Sequence, residues 1–349
     1  MIKAGIIGFG YMGEFHLKKM QLFSDISVNR VFDISEKKLE NASLLGLQTC
    51  SSLEDFLAAD LDLVVIATPN QWHCPYAIAA MKAGKNVLLE KPATLSVNEL
   101  EQIIKCSRET GKFFTVHQQR RWDPDYQAVC KTIKEKLIGN VTTIESRVLG
   151  ERGICFGWRA DPEAGGGMLY DWGVHLIDQM LQLFNPYKVI QIYARLSSIL
   201  TPAVDDYFEL ELSFEHDICA RIVVSTFALQ KLPRWYVFGD RGTLKLDDFT
   251  GIQGGISRIR ENVKGFDSMV GKHFIGPSRT MAPLQKEYLE TLPLPTVNDD
   301  TLMFWTNLKN ACEGKAQLNV TPDHILRQMK IVEAAFQSSK SKEVIHCNI

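Results

Sequence analysis

The feature that most restricts what this chain can become is Gly8-Phe9-Gly10-Tyr11-Met12-Gly13, a G-x-G-x-x-G run that comes directly after the apolar residues 2–7 and opens a helical pattern. In that setting the first glycine permits a tight turn and the second lets a phosphate group approach the backbone. The third lets the helix press against the strand. The free amides and positive dipole end of the helix then face one point, which suits a pyrophosphate. A plain glycine turn is the alternative, and the next apolar run argues against it. Asp33 closes that run, 28–33, 20 residues past Gly13. A carboxylate there accepts hydrogen bonds from both ribose hydroxyls of an adenosine and repels a 2′-phosphate. Ile34 and Ser35 come next without an adjacent arginine, so NAD is the expected cofactor, with NADP as the alternative. Asp33 also reads as a helix N-cap, and both readings can hold together.

Residues 1–120 alternate short apolar runs at 2–7, 28–33, 47–49, 63–67, 86–89 and 113–117 with amphipathic stretches. That alternation predicts a doubly wound parallel sheet covered by helices on both faces. Ser51 with Glu54 and Ser96 with Glu99 fit the S-x-x-E capping box, and Gly46, Gly84 and Gly111 mark helix ends. After Trp122-Asp123-Pro124 the texture changes. A helix to about residue 137 precedes alternating runs at 141–149, 188–197, 208–214, 218–226 and 236–246, which predict a large, mostly antiparallel sheet. Residues 250–295 show no clear period and are expected to be loops or short elements, whereas 301–312 and 322–339 have helical spacing. The 349 residues, at about 150 per domain, accommodate an α/β Rossmann domain over 1–120 and a second α/β domain over 121–349.

Thirty-nine Lys and Arg against 41 Asp and Glu supply no general attraction to nucleic acid or to an anionic membrane. The longest apolar stretches, such as 61–67 with Asp62 inside it, are far too short to cross a bilayer. The N-terminal apolar run is too short for a signal-peptide core. Eight cysteines without a CxxC pair read as reduced thiols, and hence as a cytoplasmic protein. No metal-ligand spacing is present, so no metal is expected.

Other segments place reactive groups near the same sheet edge. Thr68, Pro69 and Asn70 leave the fourth strand at its carboxyl end, with His73 close behind, and Glu90-Lys91-Pro92 ends the fifth. The run from Gly165 to Asp178 feeds a glycine stretch into an amphipathic helix. Asp171 and His175 lie four apart there, a spacing that would let a carboxylate orient an imidazole. Asp205-Asp206 could offer acceptors to a polyol, although a turn into a strand explains them as well. Trp158-Arg159 could reach a cofactor from the second domain.

Taken together, GFGYMG, ATPNQWH, the EKP triplet, HQQRRWDP at 117–124 and GGGMLYDWGVHLID resemble the glucose-fructose oxidoreductase / inositol dehydrogenase / rhizopine catabolism (Gfo/Idh/MocA) family, in its order and through essentially the whole chain. The resemblance implies a Rossmann domain followed by an α/β domain whose open sheet joins subunits into homodimers or homotetramers. It implies that Lys91 is the catalytic lysine and that Asp171 and His175 are the acidic and histidine partners of the D-x-x-x-H motif. Glu90 and Asn70 would hold the nicotinamide half, and Gln119 would join the cofactor side. The implied reaction transfers a hydride between nicotinamide and a secondary alcohol of a sugar, inositol or polyol. His175 would be the base, Lys91 would polarise the oxygen and Asp171 would orient His175. Trp172 and Asp206 would complete the substrate side. A glycoside hydrolase working by transient oxidation, or a reductase running in reverse, is the alternative on the same fold.

Overall fold

The computed structural model describes residues 1–153, 156–263, 284, 286–298 and 300–349. The glycine loop lies where the strand order of the first sheet reverses. Six strands, β1 (Ile2–Ile7), β2 (Ile26–Phe32), β3 (Gln48–Cys50), β4 (Leu63–Ile66), β5 (Asn86–Leu89) and β6 (Phe114–Val116), pair in the order β3-β2-β1-β4-β5-β6, all parallel. Leu63 to Ile66 are buried throughout, as a strand covered on both faces must be. Five helices connect these strands: α1 (Tyr11–Met20), α2 (Glu36–Leu44), α3 (Leu53–Ala58), α4 (His73–Lys82) and α5 (Val97–Thr110). The chain leaves β1 and β4 at their carboxyl ends on opposite sides of the switch, which opens a crevice there.

Local signals hold with one shift of register. Ser96 Oγ accepts the Glu99 amide at 3.2 Å as expected, but Glu99 Oε2 returns to the Leu95 amide, one residue upstream of the cap. The expected Ser51–Glu54 box is replaced by Ser52, whose Oγ accepts from the Asp55 amide at 3.1 Å, because α3 begins at Leu53. Gly46, Gly84 and Gly111 all adopt positive φ where their helices end.

The second sheet has nine strands: β7 (Val141–Leu149), β8 (Val189–Ser197), β9 (Tyr207–Phe214), β10 (Ile218–Ser225), β11 (Trp235–Gly239), β12 (Gly242–Leu246), β13 (Gly254–Ile259), β14 (Leu289–Leu292) and β15 (Ile345–His346). Their order is β14-β13-β12-β11-β7-β10-β9-β8-β15, antiparallel except between β7 and β10. The run 236–246 is a hairpin rather than one strand, because the chain turns at Asp240-Arg241 to pair β11 with β12. The stretch without period supplies β13 and β14, whose sequences GGISRI and LETL carry too little alternation to stand out.

Four more helices complete the fold: α6 (Pro124–Lys134), α7 (Val174–Leu183), α8 (Met303–Cys312) and α9 (Pro322–Ser341). The last of them ties the two sheets together. Ser338 Oγ accepts the Ala194 amide of β8 at 3.0 Å, Glu333 Oε1 accepts the Val97 amide at the start of α5 at 2.6 Å, and Val320, just before α9, accepts from Thr115 Oγ1 in β6 at 2.9 Å. No helix among the described residues is long and apolar enough to cross a membrane. The seven described cysteines are free thiols.

Candidate active site

A cavity of about 860 Å³ runs from the glycine loop to α7 between the two sheets. Its first end is built by the loop after β1. Gly8 has φ +88°, and a Cβ there would sit 2.6 Å from the Ala67 carbonyl oxygen; Gly13 would meet the Gly8 oxygen at 2.3 Å. A Cβ on Gly10, in contrast, would meet nothing within 4 Å, so the backbone there borders open space that Gly10, Tyr11 and Met12 line. Gly13 serves packing and does not line the cavity, as its Cβ clearance explains.

Asp33, just past β2, has two jobs. Its Oδ2 accepts the Phe9 amide at 2.7 Å, which clamps the glycine loop, and its Oδ1 accepts the Ser35 amide at 2.8 Å at the start of α2. Asp33 lines the cavity edge together with Ile34, Ser35 and Lys38, and each of its carboxylate oxygens has lone-pair capacity beyond the one amide it accepts. Thr68, Pro69 and Asn70 line the opposite wall, with Asn70 fixed by donating to the Gly165 carbonyl at 3.0 Å. His73, expected to touch cofactor, instead lies fully buried behind that wall, with Nδ1 2.8 Å from the Pro92 oxygen and Nε2 3.0 Å from the Thr68 oxygen. It braces the loops after β4 and β5, because its place at the first position of α4 turns it inward.

The far end holds the reactive groups. Lys91 Nζ donates to Asp171 Oδ1 at 2.5 Å and to the Asp171 carbonyl at 2.8 Å. Burial works against the Asp171 carboxylate, but the charge and hydrogen bond of Lys91 overcome it, with Arg159 and Arg120 adding, so its pKa lies below the ordinary value. His175 lines the cavity although almost wholly buried. Desolvation first, then the charges of Lys91 and Arg120, hold its pKa well below the usual imidazole value, so at neutral pH the ring is neutral.

Asp171 does not orient His175, contrary to the expectation from their spacing. The turn Leu169–Gly173 is a π-helix, in which the Val174 amide donates to the Leu169 carbonyl, so residues four apart no longer stack as in an α-helix. Asp171 is held by Lys91, and His175 Nδ1 lies 2.8 Å from Gln118 Oε1. Asp206 is a third correction. Its carboxylate accepts the amides of Ile199, Leu200 and Thr201 and closes the loop before β9, away from the cavity.

Gln119, Trp158, Arg159 and Trp172 all line the cavity. The Arg120 guanidinium, which is absent from the expected set, lies 4.1 Å above the Trp172 ring and is held by Asp123 at 2.7 Å. The R-x-x-D spacing was the available signal. Trp72 and Tyr76, also outside that set, stack at 5.7 Å along the cavity wall, an i,i+4 aromatic pair.

Glu90 lines the cavity beside Lys91, and behind it His16 Nε2 and His117 Nδ1 meet its Oε1 at 2.6 and 2.9 Å. Burial alone would raise this carboxyl; the charge and hydrogen bond of His117, with those of His16, hold it well below the usual range. The three could in principle hold a metal. Ligands of one tetrahedral ion stand about 3.3 Å apart at 2.0–2.1 Å bonds, so the shorter separations describe two imidazole N–H groups donating to a carboxylate. No spacing in the sequence joins positions 16, 90 and 117.

A glycine-loop crevice on a parallel sheet, continuous with a lysine from the end of that sheet's fifth strand and with a carboxylate and a neutral histidine supplied by a second sheet domain, defines a two-domain oxidoreductase that binds a nicotinamide dinucleotide. The model of the oxidoreductase family with NAD-binding Rossmann fold, Gfo/Idh/MocA, matches residues 2–118, and that of the Gfo/Idh/MocA C-terminal domain matches 126–245. The chain belongs to the Gfo/Idh/MocA family. It is 28% identical to scyllo-inositol 2-dehydrogenase (NADP(+)) IolW of Bacillus subtilis (strain 168), over 99% of this chain and 95% of that protein. An NAD-binding protein from Listeria innocua is 36% identical with a TM-score of 0.88, covering 99% of this chain and 96% of its own. GenD2 from gentamicin A biosynthesis, solved in complex with NAD, shares the fold at 20% identity and a TM-score of 0.80, over 100% of this chain and 97% of its own.

Proposed function

We propose that the protein is an NAD-dependent dehydrogenase that oxidises a secondary alcohol of a sugar, inositol or related polyol. The observation that carries this reading is the convergence of Lys91, Asp171 and His175 on the cavity that begins at the glycine loop. The loop fits a pyrophosphate because the space beside Gly10 is open while the turn around it is tightly packed. NAD, when bound, supplies the hydride acceptor.

The lysine ammonium has three donors. Asp171 takes two, through its carbonyl and its carboxylate, which leaves one for the substrate oxygen. A donor held in place before reaction stabilises the charge that develops on that oxygen as the proton leaves. His175, kept neutral, takes the proton. Trp172, flattened under Arg120, offers an aromatic face to the C–H side of a ring-shaped polyol.

NAD is preferred in this reading because the Asp33 carboxylate opposes a 2′-phosphate. Lys38, on α2 at the same end, is a nearby cation that favours NADP. The test is absorbance of reduced nicotinamide with NAD or NADP against a panel of inositols, aldoses and glycosides. Turnover with NAD and a polyol is expected; signal with NADP alone would overturn the Asp33 reading. The Lys91→Ala variant should bind NAD normally while kcat falls by about 10²–10³. Near-normal turnover in it would sink the assignment of Lys91.

A further inference from the structure

His175 is oriented through a closed ring of side chains that the resemblance to the family does not explain. Its Nδ1 lies 2.8 Å from Gln118 Oε1, Gln118 Nε2 donates to Gln328 Oε1 at 3.3 Å, and Gln328 Nε2 donates to the carbonyl oxygen of Val174. Val174 precedes His175 on α7, so their peptide bond closes the circuit. Gln118, Gln328 and His175 are each 2% exposed or less, and water does not compete for these bonds.

The direction of every hydrogen bond in the circuit is set by its last member. A backbone carbonyl can only accept, so the end of the Gln328 amide that faces Val174 is the NH₂ end. Its carbonyl end then faces Gln118 and needs a donor, which the Gln118 NH₂ supplies. The Gln118 carbonyl is left facing the imidazole, and Nδ1 must carry hydrogen to meet it. In a neutral ring the lone pair is then on Nε2, which has no protein partner among the described residues, while the ring lines the cavity.

We propose that Gln118 and Gln328 are positioning residues, a two-amide relay from the Val174 carbonyl that locks His175 in its Nδ1–H tautomer and presents a bare Nε2 to the alcohol proton. This rests on the reading of His175 as the base and deepens it. Without the relay the ring can place its proton on Nε2, where it blocks acceptance. Gln118 lies just past β6 and Gln328 lies on α9, so the base acquires its competent form only when the C-terminal helix docks across the two domains. The titratable and charged groups that also act on the ring are Lys91, Arg120 and His117, which oppose a positive imidazole, together with Glu90, which favours one.

The test is ¹⁵N NMR of histidine-labelled full-length protein, with the His175 signals identified by their loss in His175→Asn. In the unaltered protein Nδ1 should be protonated and Nε2 bare. Gln118→Glu keeps an acceptor at Nδ1 and adds a charge beside the ring. It should preserve the tautomer and raise the ring pKa, and with it the acid limb of kcat/KM, by about 1–3 units. Gln118→Leu and Gln328→Leu should mix the tautomers and lower kcat by about tenfold or more, with KM little changed. A proton found on Nε2 in the unaltered protein overturns the relay, as does an unmoved ring pKa in Gln118→Glu, a variant that stays informative even if the leucine variants do not fold. If the tautomer is as stated but His175→Asn turns over normally, the relay stands and the assignment of the base fails.

Discussion

At the residue scale, three glycines of one motif do different work, and substitution separates them. Gly10→Ala meets no atom within 4 Å and should leave the melting temperature nearly unchanged while NAD affinity falls at least tenfold, because the methyl projects into space that a pyrophosphate needs. Gly8→Ala forces φ +88° on an alanine and drives its Cβ to 2.6 Å from a backbone oxygen. It should cost stability by roughly 1–3 kcal/mol before any ligand is added. Thermal melts and a fluorescence titration with NAD distinguish the two, and equal melting temperatures would contradict this division of labour. The roles of these glycines are legible in the sequence, because each depends on chain neighbours and on one strand beside them. The partners of His175 are not, because Gln118 and Gln328 are 57 and 153 positions away from it.

At the scale of elements, the junction between the glycine run and β9 is the most charged with consequence. Asp205 Oδ2 accepts the Leu169 amide at 2.8 Å where the π turn begins, and its Oδ1 fills the space over Gly167. Desolvation outweighs the lowering effect of the Leu169 and Met168 amides, and Asp206 adds to it, so the carboxyl is pushed up to about 7. In the unfolded chain an aspartate titrates near 3.9, so the folded state holds the extra proton between about pH 4 and pH 7. The stability tied to this group is therefore fully present below about pH 4 and is lost as pH rises through about 7. Asp205→Asn should flatten this part of the stability–pH curve by on the order of a few kcal/mol, as read from chemical denaturation at pH 5 and pH 8. An identical slope in the variant would refute the assignment. The pair Asp205-Asp206 and its turn are visible in the sequence; that one carboxylate caps a π turn and the other a loop is not. That outcome depends on which amides the fold leaves unpaired.

At the scale of the whole molecule, the C-terminal helices return to the first domain. Trp305 of α8 is buried, with its ring 5.2 Å from His16 and 5.5 Å from His117, so it walls the imidazole clamp on Glu90 from the side away from the cavity. Trp305→Ala should cost about 3–5 kcal/mol and, by admitting water to the clamp, weaken the hold on Glu90. Denaturant unfolding gives the first quantity; a loss below about 1 kcal/mol would mean that α8 is a dispensable cover.

The amino-acid sequence by itself determined the parallel sheet, the glycine loop, the acidic residue after β2 and the order of the reactive motifs, because period, caps and turn chemistry act over a few residues. The hairpin at Asp240-Arg241 and strands β13 and β14 escaped it, since pairing partners rather than intrinsic pattern hold them in place. Tertiary structure alone decided that Lys91 takes Asp171, that Gln118 takes His175 and that His16 and His117 share Glu90. Each of these choices depends on which buried polar atom finds a partner once water is gone, and distance along the chain carries no record of that competition.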